Sequence, residues 1–288
     1  MTTTDTDHYD VFTGYAIDQE QREELLATQV DAVMNMLGDI PDRMDPRSSP
    51  LADQGFIQVE NQASVGACQG FSLACCGEFA HTFATGEVIQ LDNMYAYIAS
   101  QVKDGINGDR GSTLSGGTKA FKDGIPLQTE PYRPVYPGRA YLTPERRARA
   151  VYKLQSHTTM QDADHVRQFI GSGVGIVQLG IAWGRWMEPD ARGCIHDFNP
   201  GRGGGHAITF AGYVPDSDVG VASGAGWWAL LKNSWSRRWG KNGYAYVSPK
   251  AINKMIRHQW TVMVGRSDME SPRPRKVKVD FTKRSILR

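Results

Sequence analysis

The residues best equipped for chemistry are a thiol, an imidazole and a carboxamide that lie far apart in the chain. Cys68 sits in Asn61-Gln62-Ala63-Ser64-Val65-Gly66-Ala67-Cys68-Gln69-Gly70-Phe71-Ser72, after a glycine-containing turn. Phe71, Cys75 and Phe79 then recur at helical spacing. A thiol just inside a helix N-terminus faces unpaired backbone N–H groups and the positive end of the helix dipole, which favours the nucleophilic thiolate. Taken alone, such a residue is more often a buried helical cysteine. What changes the weighing is downstream. His206 lies in Gly203-Gly204-Gly205-His206-Ala207-Ile208-Thr209-Phe210, and Asn233 in Leu230-Leu231-Lys232-Asn233-Ser234-Trp235-Ser236-Arg237-Arg238-Trp239-Gly240-Lys241-Asn242-Gly243-Tyr244. A thiol, a base and an amide that orients the base are the parts of a covalent acyl-transfer site.

These three motifs, in this order, resemble the papain family of cysteine peptidases. The resemblance covers about residues 50 to 265. It implies an α+β papain-like fold with two lobes, a helical one carrying Cys68 and a β-barrel one carrying His206 and Asn233, with the cleft between them. It implies a cysteine endopeptidase with an acyl-enzyme intermediate, acting on an extended polypeptide, with no cofactor and no metal. Cys68 would be the nucleophile, His206 the base, and Asn233 the group that holds the imidazole. Gln62, six residues ahead of the cysteine, matches the family's oxyanion-hole side chain. Trp235 matches the indole that screens the His–Asn bond. Gly111, Ser112 and Gly205, with Trp235, are the substrate-binding candidates, since a glycine lets a substrate backbone come close and pair as a strand. Three departures stand out: Ala63 where the family usually has Gly, Val65 where it has a disulfide Cys, and Gln69 where a Trp follows the nucleophile.

The elements that must position these groups follow from composition and patterning. With 288 residues the chain can build one large domain or two lobes around a cleft. A net charge of +1 does not point to nucleic acid, and no apolar run is long enough to span a bilayer. The four cysteines, Cys68, Cys75, Cys76 and Cys194, form no spaced disulfide framework, and Met1 to His8 is polar and acidic, unlike a secretory signal. A reducing, cytoplasmic compartment is therefore expected. No Cys-x-x-Cys pair or histidine cluster marks a metal site.

Residues 18–37 carry an amphipathic pattern (Leu25, Leu26, Val30, Val33, Met34, Leu37) that predicts a helix. A Pro-rich stretch, 40–50, follows. Residues 1–45 are an inhibitory prosegment open to self-processing, or an extension packed permanently on the domain. The missing long-helix signature of the family's prosegments favours the second. The catalytic domain is expected over 46–265, with the helical lobe over about 60–150 and the barrel lobe over about 151–265. A short strand or extended lead is expected at 53–60, and helices at 67–86, 92–102, 114–123, 143–150, 162–170 and 251–258. Strands are expected at 174–182, 206–213, 227–232, 244–247 and 260–264, followed by a basic tail over 266–288. Other functional classes remain: a non-catalytic binding module on the same fold, or an acyl transferase or processing peptidase of narrow purpose.

Overall fold

The computed structural model describes residues 15–16, 39–173, 175–200, 204–258 and 261–270. The helix expected at 18–37 and most of the tail lie outside the described residues.

The central element is helix α1, Cys68–Thr85, buried along nearly its whole length. An apolar surface on every side is what a helix needs when it has neighbours all round. It packs against α2 (Asn93–Asp104) and also against three strands of the sheet. Gly70 permits the first contact: a Cβ there would run into the backbone of Asn93 and Tyr97. Gly86, at φ 75°, ends α1 with its N–H on the Thr82 carbonyl. Helix α2 starts at Asp92, whose carboxylate accepts from the Tyr95 N–H, and α3 (Leu114–Asp123) starts at Thr113, whose hydroxyl accepts from Gly116. These caps, with Pro144–Ala148 (α4), build the helical lobe around Phe71, Leu73, Leu91, Tyr97 and Phe121.

Among the described residues the second lobe is a seven-stranded sheet. Its strands are β1 (Lys153–Thr159), β2 (Gly175–Ala182), β3 (Cys194–Ile195), β4 (Gly205–Pro215), β5 (Trp227–Lys232), β6 (Tyr244–Val247) and β7 (Val262–Glu270). The order is β1-β7-β2-β4-β5-β6-β3, antiparallel except for the β3–β6 pair. Helices α5 (Ala163–Gly171), α6 (Asp216–Val219) and α7 (Pro249–Arg257) complete the lobe. The core runs from Ile176, Leu179 and Phe210 through Trp228 and Leu230 to Ile252 and Met255.

The α+β, two-lobed expectation holds, but the sheet is not the closed barrel expected. Among the described residues β1 and β3 are its free edges. Strand alternation along the chain is the same in an open sheet and a closed one, because closure depends on which distant edges meet. Two strands were missed. β1 is the N-terminal edge strand, and β3 is only two residues long. The stretch 53–60 is not a strand: it opens with a 3-10 turn, Ala52–Gln54, and Ile57 adopts φ 56°. The basic tail does not begin at 266. Arg266 lies inside β7 and is wholly buried, donating to Gln178 Oε1, Thr118 Oγ1 and the Leu114 carbonyl. A buried guanidinium looks like a solvated one in sequence, and only its acceptors make it tolerable.

Residues 39–50 belong to the folded unit. Met44 pairs with Tyr213 on β4, the Tyr213 hydroxyl donates to the Pro41 carbonyl, and Arg43 pairs with Asp218.

Candidate active site

Cys68 is the first residue of α1, with Ala67 as its cap. Its sulfur accepts from the Ala207 N–H at 3.4 Å, so the helix N-terminus and strand β4 meet at the thiol. His206 enters through the register of the sheet, opposite Ile181 on β2. Asn233 follows the last residue of β5. The His206 Nε2 lies 2.9 Å from Asn233 Oδ1. The Ser234 N–H also donates to that oxygen at 2.8 Å, which assigns the amide orientation. Nε2 must then carry the ring proton, leaving Nδ1 as the basic nitrogen of the neutral imidazole. Nδ1 is buried and has no hydrogen-bond partner. Burial lowers the His206 pKa to about 4, with the Asn233 bond opposing the shift.

Trp235 stacks on the imidazole with ring centres 4.4 Å apart and planes 23° apart. Trp183 closes the group edge-on, 4.8 Å from Trp235 and 6.5 Å from His206. Trp235 thus lies on the face of the His206 ring. Nothing in the local sequence of Trp183 separates a packing role from this one.

Gln62 is fully buried in the turn ahead of α1. Its Nε2 donates to the Val65 carbonyl at 3.0 Å, its Oε1 accepts from the Ser234 hydroxyl at 2.6 Å, and its backbone N–H reaches the Ser234 carbonyl at 2.9 Å. One residue therefore ties the nucleophile loop to the Asn233 loop across the two lobes. Ala63, next to it, adopts φ 50°, the left-handed region that a glycine would enter without strain.

Gln69, where the family usually has an indole, is wholly buried. Its Oε1 accepts from Ser112 Oγ at 2.9 Å, and its carbonyl accepts from Gln178. Gln178 also reaches Ser72 Oγ and accepts from Arg266. A buried polar chain thus runs from the groove edge at Ser112 to the sheet.

The substrate-binding candidates separate into two kinds. The Gly205 carbonyl accepts from the Tyr15 N–H and the Ser112 carbonyl from the Ala16 N–H, both at 3.0 Å. Tyr15 makes isolated β-bridges, antiparallel with Gly205 and parallel with Ser112, and so links the two lobes. Gly111, at φ 76°, turns inward instead: its N–H donates to the Tyr97 hydroxyl and its carbonyl accepts from Gln101 Nε2. The Tyr15 side chain clusters with Cys68, Leu114, Ala207 and Val264. Its ring lies on Gly180, where a Cβ would overlap it. Sequence reasoning missed Tyr15, Leu114, Gly180, Ala207 and Val264. Glycine at 180 inside a nearly all-apolar strand was the one available signal of a close approach.

Comparison with known proteins places the chain. The model of papain family cysteine proteases matches residues 40–263. The chain is 24% identical over 216 residues to zingipain-2 of Zingiber officinale, covering 72% of this chain and 86% of that one. It is 25% identical over 209 residues to cysteine protease 1 of Oryza sativa subsp. japonica, covering 71% of this chain but only 40% of that one. Among solved structures, xylellain, a cysteine protease from Xylella fastidiosa, superposes with a TM-score of 0.65 at 18% identity, over 89% of this chain and 96% of that one. The ragweed pollen protease Amb a 11 in its proform gives 0.65 at 17% identity, over 89% and 75%. The bromelain protease of Ananas comosus gives 0.59 at 17%, over 79% and 99%. At these identities the superpositions carry the fold, and the family match carries the rest: the chain belongs to the papain family of cysteine proteases.

Proposed function

We propose that the protein is a cysteine endopeptidase that cleaves extended polypeptide through a Cys68 acyl-enzyme, and that its own segment around Tyr15 covers the groove until it is displaced. The observation that carries the catalytic part is the His206–Asn233 bond beside Cys68, stacked under Trp235.

In this reading Nδ1 of His206 takes the Cys68 proton and the thiolate attacks the substrate carbonyl. The imidazolium then protonates the leaving amine. Water, deprotonated by the same nitrogen, releases the acyl group and restores the thiol. Charge on the tetrahedral oxygen is met by the N-terminus of α1 and by Gln62, and losing one such donor costs on the order of 10²–10³ in turnover. Asn233 fixes the tautomer that makes Nδ1 the base, and Trp235 keeps water off that bond.

The groove reading draws on Tyr15. The Tyr15 N–H donates to the Gly205 carbonyl and the Ala16 N–H to the Ser112 carbonyl, as the backbone of an extended substrate would. With the ring seated, His206 is wholly buried and its pKa is held down, so the thiolate–imidazolium pair that drives attack is disfavoured. The segment around Tyr15 and Ala16 is accordingly inhibitory in this proposal rather than a permanent brace, while residues 39–45 stay with the folded unit. The cytoplasmic assignment rests on the four cysteines, all free thiols.

Wild-type and Cys68→Ala protein, incubated with a denatured polypeptide under reducing conditions, test the catalytic part. Cleavage only by the wild type is expected, together with covalent capture of Cys68 by an epoxysuccinyl reagent. Equal cleavage by both would refute the assignment.

A further inference from the structure

Away from the cleft, the loop between β2 and β4 brings three different metal-binding groups together. A carboxylate oxygen of Asp190, the sulfur of Cys194 and a ring nitrogen of His196 all lie within 4.8 Å of one another. The convergence is held by backbone. Asp190 Oδ1 accepts from the N–H groups of Arg192 and Cys194, both at 2.9 Å. The Gly193 N–H donates to the Asp190 carbonyl at 2.8 Å and the Asp190 N–H to the Cys194 carbonyl at 2.9 Å, a closure that needs Gly193 at φ 82°. Strand β3 then fixes Cys194 opposite Tyr246. The remaining Asp190 oxygen lies 3.0 Å from His196 Nε2, and the imidazole rests edge-on against Trp228 at 5.2 Å.

We propose that Asp190, Cys194 and His196 form a binding site for a borderline divalent cation of the zinc type, with solvent as the fourth ligand. The donor set selects the metal class. Thiolate and imidazole suit Zn²⁺ and exclude a dedicated calcium or magnesium site, which would be built from oxygen. Bonds of about 2.0–2.3 Å in a tetrahedron separate ligand atoms by roughly 3.3–3.8 Å, so a slight widening of the 3.0 Å Asp190–His196 contact, with the Cys194 sulfur within 4.8 Å of both, completes the sphere. The Cys194 side is closed, while Asp190 and His196 are 43% and 51% exposed, which leaves the entry path and the fourth position facing water. On binding, the Cys194 S–H bond breaks, its proton passes to solvent, and the S–Zn bond forms, while His196 binds neutral through Nε2. The ion would clip the loop whose far end delivers His206.

The test uses the full chain carrying Cys68→Ser, which removes the catalytic thiol as a rival ligand. Titration with Co²⁺ should give a sulfur-to-metal charge-transfer band that saturates at one equivalent and is abolished by Zn²⁺. Adding Cys194→Ser should remove the band. Adding His196→Gln, on an exposed ring, should weaken binding at least tenfold, and it keeps the test decisive if the Cys194 variant folds poorly. Absence of the band, or a band indifferent to His196→Gln or Cys194→Ser, would overturn the site. In that case Asp190 and His196 are a surface ion pair over a buried thiol.

Discussion

Replacing Tyr15 by Ala should unmask the cysteine. The Tyr15 ring is 7% exposed and packs on Cys68, Leu114, Ala207 and Val264 over Gly180. Truncating a buried aromatic in a packed core costs about 3–5 kcal/mol, and at a cleft edge we take about 2–4 kcal/mol. The two backbone bonds of the segment survive the substitution. The closed state alone bears this loss, so the equilibrium for lifting the segment shifts by about 30- to 1,000-fold at ~1.4 kcal/mol per decade. The assay is the second-order rate of Cys68 labelling by a small thiol-directed reagent at neutral pH, followed by mass. Cys75, Cys76 and Cys194 are buried, and a Cys68→Ser control subtracts them. Wild type should label slowly, and Tyr15→Ala faster by at least one order of magnitude. Gly180→Ala should act in the same direction, because the new methyl occupies the ring's place. Labelling of Tyr15→Ala within twofold of wild type would refute the claim that this side chain holds the groove shut.

Acid should act on the same equilibrium. The closed state holds the His206 pKa near 4, below its ordinary value of 6.5, so its stability is fully present above about pH 6.5 and declines as pH falls toward 4, by at most about 3 kcal/mol. Exchange of the Tyr15 and Ala16 amides in Cys68→Ala protein, corrected for intrinsic rates, should therefore speed up between pH 6.5 and 4; no change would mean His206 stays unprotonated in the open form too. Ala63→Gly should raise unfolding stability by about 0.5–1 kcal/mol in urea, since a left-handed alanine carries strain that glycine does not. Glu78 is buried in α1 with its pKa pushed up to about 8 by desolvation, then by Glu60, against the pull of the Leu91 N–H and Lys232. Its contribution is present below about pH 4.5 and declines as pH rises to 8. Glu78→Gln, which keeps an acceptor for the Leu91 N–H, should be near neutral at pH 4.5 and stabilising by on the order of several kcal/mol at pH 8.5. Equal effects at the two pH values would exclude a desolvated carboxylate as the cause.

Much of the chemistry was legible because it is written in short motifs. Gln62 and Cys68 flank one turn, and Asn233 and Trp235 share another, so residue types and spacing name the parts without any coordinates. Helix ends were equally local. Gly86 and Gly124 stop helices because the stops need backbone that other residues adopt at a cost, and Thr113 starts one because its hydroxyl meets an orphan N–H. Other features depend on partners far away in sequence, and no local pattern records them. Arg266 is buried rather than trailing in solvent because Thr118 and Gln178 reach it. The sheet stays open at β1 and β3 because no distant edge meets them among the described residues. Asp190, Cys194 and His196 converge because one glycine folds the loop back on itself. Composition and motif thus determined which atoms can react. Tertiary packing decided what covers them, since burial and the strand pairing of Tyr15 come from contacts summed over the whole chain.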